Sequence, residues 1–270
     1  MKVTSLFFSL LTWVLLAAPP VFAEPSITGT WTADVKKDTL ELFLRTSTEK
    51  PKTTQQLNMT VPLTSFQGLS TADGGTAPFR LEREAGVFSF EGRFSEAKGA
   101  GHLRFAPDEE YVRAMAALGY PTLAPDKHYL LAVFDITPAR VKELAALGFK
   151  DIPLDELIQV GIFQVTPGYI QSLAQHGYTK LTLAKLIQTR IHGVTPERIR
   201  ALAAEGYKAL EMEELLAMSI HGVTPEFIRE MREAGYAKLT PEELVKLRIH
   251  GIDAKFVRAL SDGRDTHKKE

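Results

Sequence analysis

A chain of 270 residues, 44% of them hydrophobic, carries enough apolar material for one or two domains with a sizeable core. Its 32 Lys and Arg are balanced by 33 Asp and Glu, so no net field draws it toward nucleic acid or an acidic membrane. Cysteine is absent, which excludes disulfides, thiolate metal sites and an acylated cysteine anchor.

Residues 1–23 stand apart from the rest. Lys2 gives a positive start, Leu6 to Ala18 is apolar apart from Ser9 and Thr12, and Pro19-Pro20 ends any helix. Val21-Phe22-Ala23 then puts small or apolar residues at the positions a signal peptidase reads, for a cut after Ala23. The apolar run is about 13 residues, short of the ~20 that a spanning helix needs. Residues 1–23 therefore read as a signal peptide. The expected location is periplasmic or secreted, with no transmembrane segment after cleavage.

Residues 24–107 alternate with period two. Leu40, Leu42 and Leu44, then Leu57, Met59, Val61 and Leu63, then Phe88, Phe90 and Phe94, then Leu103 and Phe105 each mark one face of a strand. Breaks rich in Gly, Ser and Thr at 69–76 and 95–101 read as turns. This predicts a small antiparallel β-sandwich or curled sheet of five to seven strands. Asn58-Met59-Thr60, a glycosylation triplet by sequence, falls inside one of them.

From Asp108 the rhythm changes. Thr-Pro recurs at Thr137, Thr166, Thr195 and Thr224, a spacing of 29 residues, and a Gly-aromatic pair follows each at Gly148, Gly177, Gly206 and Gly235. The same register places Asp108 before Gly119-Tyr120 and restarts at Asp253. Thr or Asp caps a helix, Pro occupies its first position and Gly ends it. A second short helix follows in each unit, as in Thr240-Pro241-Glu242-Glu243 with Gly251 at its end. Helices of about ten residues are unstable alone, so their apolar faces are expected to be buried on neighbours. Leu157, Leu186, Leu215 and Leu244 hold one position of the second helix, and Ile162, Ile191, Ile220 and Ile249 hold another. The fold class is thus α+β: a β-module over 24–107, an α-solenoid of 29-residue helix-hairpin repeats over 108–263, and a charged tail at 264–270. The first unit is atypical, with His128 in place of Leu and Phe134-Asp135 in place of His-Gly.

The residues that invite a functional reading sit at the end of each second helix: Arg190, His192, His221, Arg248 and His250. A histidine beside a Gly stop complements the negative end of the helix dipole. Equivalent residues in stacked layers lie roughly 10 Å apart, too far to share one ion. No metal, cofactor or catalytic residue is expected, and HExxH, GxSxG and Walker motifs are absent. The string His221-Gly222-Val223-Thr224 is half of a helix-hairpin-helix turn. Thr stands where that motif needs its second Gly for backbone to approach phosphate, so nucleic acid is the alternative partner and not the first.

The stretch 221–251, HGVTPEFIREMREAGY followed by LTPEELVKLRIHG, resembles repeats in the extracytoplasmic part of BlaR-like membrane metallopeptidase sensors, and 79–120 resembles the β-module before them. The resemblance implies an envelope sensor or interaction role. The peptidase and its zinc motif have no counterpart here. The expectation is a non-enzymatic binding or scaffold protein whose helical repeats contact another envelope protein.

Overall fold

The computed structural model describes residues 27–49, 52–74 and 78–259; the segment 1–23, read above as a signal peptide, and the charged tail at 264–270 lie outside these. The strands are β1 (Ile27–Val35), β2 (Thr39–Glu49), β3 (Lys52–Pro62), β4 (Phe66–Gln67), β5 (Phe79–Arg83), β6 (Gly86–Ser95) and β7 (Lys98–Pro107). They form one curled antiparallel half-barrel sheet in the order β3-β2-β1-β7-β6-β5-β4, which selects the curled sheet over the sandwich. Alternation supplies the inner face: Trp31, Leu40, Leu42, Leu44, Phe88, Phe90 and Phe105 are all buried.

One break in the sequence reading is corrected. The turn after β6 is confined to Glu96-Ala97, at φ 50° and 61°, and Lys98 already begins β7. The glycines that suggested a longer turn provide clearance instead. A Cβ on Gly99 would lie 2.7 Å from the Trp31 ring, and one on Gly92 would lie equally close. The indole fills that space, edge-on to Phe79 at 5.4 Å and to Phe90 at 6.0 Å, and donates its Nε1–H to the His102 carbonyl at 3.0 Å.

Ten helices follow among the described residues: α1 (Glu109–Ala116), α2 (Pro125–Val133), α3 (Pro138–Ala146), α4 (Leu154–Ile162), α5 (Pro167–Ala174), α6 (Leu183–Ile191), α7 (Pro196–Ala204), α8 (Met212–Ile220), α9 (Pro225–Glu233) and α10 (Pro241–Ile249). Backbone at 254–259 is helical again. The Oγ1 atoms of Thr137, Thr166, Thr195 and Thr224 accept the third-position N–H of α3, α5, α7 and α9 at 3.1–3.2 Å. Asp108 and Asp253 do the same at 2.9 and 2.8 Å. The chain leaves α1, α3, α5, α7 and α9 through a left-handed glycine, as at Gly206 with φ 102°.

Three of the five aromatics after these glycines have a task that sequence did not show. Tyr120, Tyr178 and Tyr207 donate their hydroxyls to the carbonyls of Ile152, Leu210 and Leu239, each 32 residues on, at 2.8, 2.8 and 2.6 Å. Each bond ties one interhelical loop to the next.

The two kinds of second-helix apolar position part company. Leu157, Leu186, Leu215 and Leu244 are buried to 1% exposure or less. Ile162, Ile191, Ile220 and Ile249 are 41%, 49%, 52% and 56% exposed, which corrects the expectation that the whole apolar face is covered.

The sheet and the first helices share one core, which runs from Ile27 to Ile187; a second cluster extends from Val194 to Val257. The atypical residues of the first helix pair make the joint. His128 Nε2–H donates to the Ala85 carbonyl in the β5–β6 turn at 2.6 Å, and its ring stacks on Tyr111 at 5.3 Å. Asp135 pairs with Arg83 of β5 at 2.5 Å.

Burial lowers the His128 pKa, against the opposing effects of the Ala85 hydrogen bond and the Asp108 charge. Between that lowered value and the ordinary one near ~6.5, the unfolded chain binds more protons than the folded one. Stability conferred by neutral His128 is therefore present above that window and lost as pH falls through it. Melting temperatures at pH 7.5 and 5.5 are expected to drop less for His128→Gln than for the wild type; an equal drop would assign the acid sensitivity to other groups.

Candidate interaction surface

Each second helix from α6 onward ends in Ile-His-Gly: Ile191-His192-Gly193, Ile220-His221-Gly222 and Ile249-His250-Gly251. The three histidines are the C-cap residues, with φ between −95° and −88°, and all are exposed. The glycines after them take φ 66°, 67° and 65° and turn the chain into the next helix, capped by Thr195, Thr224 and Asp253. An isoleucine and a histidine are thus presented side by side at the same place in three successive helix pairs. Among the described residues no three His, Asp or Glu side chains converge as metal ligands.

The two arginines of the sequence-derived set behave differently from the histidines. Arg190 Nε–H donates to the carbonyl of Phe163, the C-cap of α4, at 2.8 Å, and its guanidinium lies 4.8 Å from the centre of the Tyr169 ring. Arg248 Nε–H donates to the carbonyl of His221, the C-cap of α8, at 3.3 Å, over the Phe227 ring at 5.0 Å. Both cations satisfy an orphan helix-end carbonyl and stack on an aromatic face, so they act as ties between helices.

This arrangement alternates along the chain. The third position of the first helices is Tyr111, Arg140, Tyr169, Arg198 and Phe227, and the matching second-helix position is Ala132, Gly161, Arg190, Ser219 and Arg248. Where the first helix supplies an aromatic at 169 and 227, the second supplies the arginine that stacks on it. Where the first helix supplies an arginine, the second supplies Gly161 or Ser219 and no second cation. Arg198 then bonds the Val223 carbonyl at 2.8 Å, as the Tyr169 hydroxyl bonds that of Val194 at 2.7 Å.

Sequence reasoning singled out the polar residues of these turns and passed over the isoleucines beside them. Their 29-residue spacing was visible, but the same spacing marks core positions, and exposure depends on how the helices pack.

No protein-family model matches the chain, and no curated protein matches it significantly. Among the described residues no helix is long and apolar enough to cross a membrane.

Proposed function

We propose that this is an exported, non-enzymatic binding or scaffold protein, in which a β-module carries an α-solenoid of 29-residue helix hairpins that docks another envelope protein. The row of exposed isoleucines carries the reading. A large aliphatic side chain left half exposed at the same position of four successive units does little for the core, and recurring exposed apolar groups mark interaction surfaces. In stacked hairpins, equivalent positions lie roughly 8–10 Å apart, which would give a partner a rigid ladder of apolar contacts with histidines along its rim. The stacked arrangement is supported by packing of α1 on α3, α3 on α5, α2 on α4, α4 on α6 and α8 on α10. The tyrosine bonds between successive loops support it further.

The alternative, nucleic acid held by the hairpin turns, finds less support. The turn threonines already accept backbone N–H groups, and Arg190 and Arg248 are engaged by carbonyls and rings. The resemblance to BlaR-like sensors agrees with an envelope interaction role.

The test is a pull-down from envelope extract with the wild type and with the triple variant Ile191→Asp, Ile220→Asp, Ile249→Asp. All three sites are exposed, so the variant is expected to melt within a few degrees of the wild type. A protein retained by the wild type and lost by the variant is the expected result. Equal retention by both, or salt-sensitive retention of DNA in place of protein, would overturn the reading.

A further inference from the structure

A groove of about 460 Å³ lies where the sheet meets the helices, between the edge strand β3 and the turns that end α2 and α4. It is separate from the histidine turns, and three features meet in it.

The first is charge. Arg83 and Arg140 both line the groove. Asp135 neutralises Arg83, while Arg140 forms no ion pair with any described residue. One positive charge is left over. Arg83 Nε and Arg140 Nη1 are moreover buried with no hydrogen-bond partner. A buried guanidinium N–H without a protein acceptor is costly, and a bound anion would offset that cost. Arg198, at the equivalent position, also keeps a buried Nε without a partner, but its Nη2 donates to two backbone carbonyls, whereas no guanidinium nitrogen of Arg140 has an acceptor among the described residues.

The second is backbone strain. The left-handed position after each second helix is Gly193, Gly222 and Gly251 in the later units, but Asp135 and Gln164 in the first two, both at φ 54°. Glutamine resists that conformation. Both residues line the groove, so the glycine rule is broken only in the turns that face it. The polar side chains gained there are an anion that holds Arg83 and an amide whose Nε2–H donates to the Gly161 carbonyl at 2.7 Å.

The third is the balance of the walls. Val133, Phe134 and Ile162 form an apolar side, and Asn58 and Thr60 of β3 add polar groups from a strand whose outer edge pairs with no other strand.

From these we infer that the groove is a binding site for a carboxylate joined to an apolar group, the carboxylate meeting Arg140 and the apolar part lying on Phe134 and Ile162. The same chemistry is offered by the end of a polypeptide laid along the free edge of β3 and by a small branched-chain acid. The groove shares Ile162 with the isoleucine row but contains none of the three residues changed in the pull-down variant, Ile191, Ile220 and Ile249.

The test uses the whole chain, Arg140→Met, and two pairs of probes. These are 4-methylpentanoate against 4-methylpentanamide, and a leucine-ended pentapeptide with a free carboxylate against its C-terminal amide. Without probe, Arg140→Met is expected to melt higher than the wild type by about 2–4 °C, because an uncompensated charge is removed. By titration calorimetry, at least one carboxylate is expected to bind the wild type tenfold or more tighter than its amide, and Arg140→Met should lose that preference. Binding of the small acid alone identifies a free metabolite-like ligand, and binding of the peptide alone identifies a chain end; either supports the site. Arg140→Lys, which keeps the charge without the fork, is the second variant and should bind more weakly than the wild type. Equal binding of acid and amide in both pairs, or an Arg140→Met protein less stable than the wild type, would overturn the assignment. Loss of envelope-protein capture in the isoleucine variant leaves this result untouched, so the two readings fail separately.

Discussion

Trp31→Ala is expected to cost about 3–5 kcal/mol, a large part of what a domain of this kind has. The indole is 1% exposed and touches Phe79, Phe90 and Phe94, with ring centres 5.4 to 6.0 Å away. Its removal opens a cavity that the neighbours cannot close, because they sit on paired strands. It also leaves the His102 carbonyl without its indole donor. The loss should not stay in the sheet. One core runs from Ile27 through the helices to Ile187, so unfolding followed by tryptophan-independent far-ultraviolet circular dichroism should show strand and helix signals falling together. A helical signal that survives unchanged would show that the helices fold without the sheet.

A second large effect separates two residues that look alike on paper. Leu215 and Ile220 are both aliphatic, both in α8, and both recur every 29 residues. Leu215 is fully buried, so Leu215→Ala should cost about 2–5 kcal/mol. Ile220 is 52% exposed, and Ile220→Ala should change stability by no more than about 0.5 kcal/mol. Chemical denaturation of the two variants checks this directly. Similar losses in both would mean that Ile220 is covered in solution, by another part of the chain or by a second copy.

The contrast also explains which features of the site could be read early. A capped helix announces itself locally: Thr224 accepts from Phe227 three residues on, and Gly235 takes φ 98° at a helix end, so residue type and spacing suffice. The isoleucines could not be read this way. Hydrophobic periodicity reports that a residue is apolar, not whether a neighbouring helix covers it. Arg190 and Arg248 were legible as cations near helix ends, but their stacking on Tyr169 and Phe227 joins residues of two helices. The Tyr, Arg, Tyr, Arg, Phe series at the third helix position and its Ala, Gly, Arg, Ser, Arg counterpart are both present in the sequence. Only contact between the two positions turns them into one alternating arrangement.

The first helix pair teaches the same lesson. His128 and Asp135 stood out because they break the register, and array ends are expected to be atypical. Their departure has a more specific cause, since both reach the sheet, His128 at the Ala85 carbonyl and Asp135 at Arg83.

By itself the sequence determined what depends on near neighbours along the chain. That comprises strand alternation from Leu40 to Phe105, the helix starts at Asp108, Thr137, Thr166, Thr195 and Thr224, and the left-handed glycine stops, because caps, turns and pleats are set by sterics and hydrogen bonds within a few residues. Tertiary structure decided the rest: one curled sheet in place of two layers, burial of the leucines with exposure of the isoleucines, and a strained, positively charged groove between the edge of β3 and the first two helix turns. Those outcomes depend on which surfaces remove each other from water, and that is a property of residues brought together by the fold and not by their order.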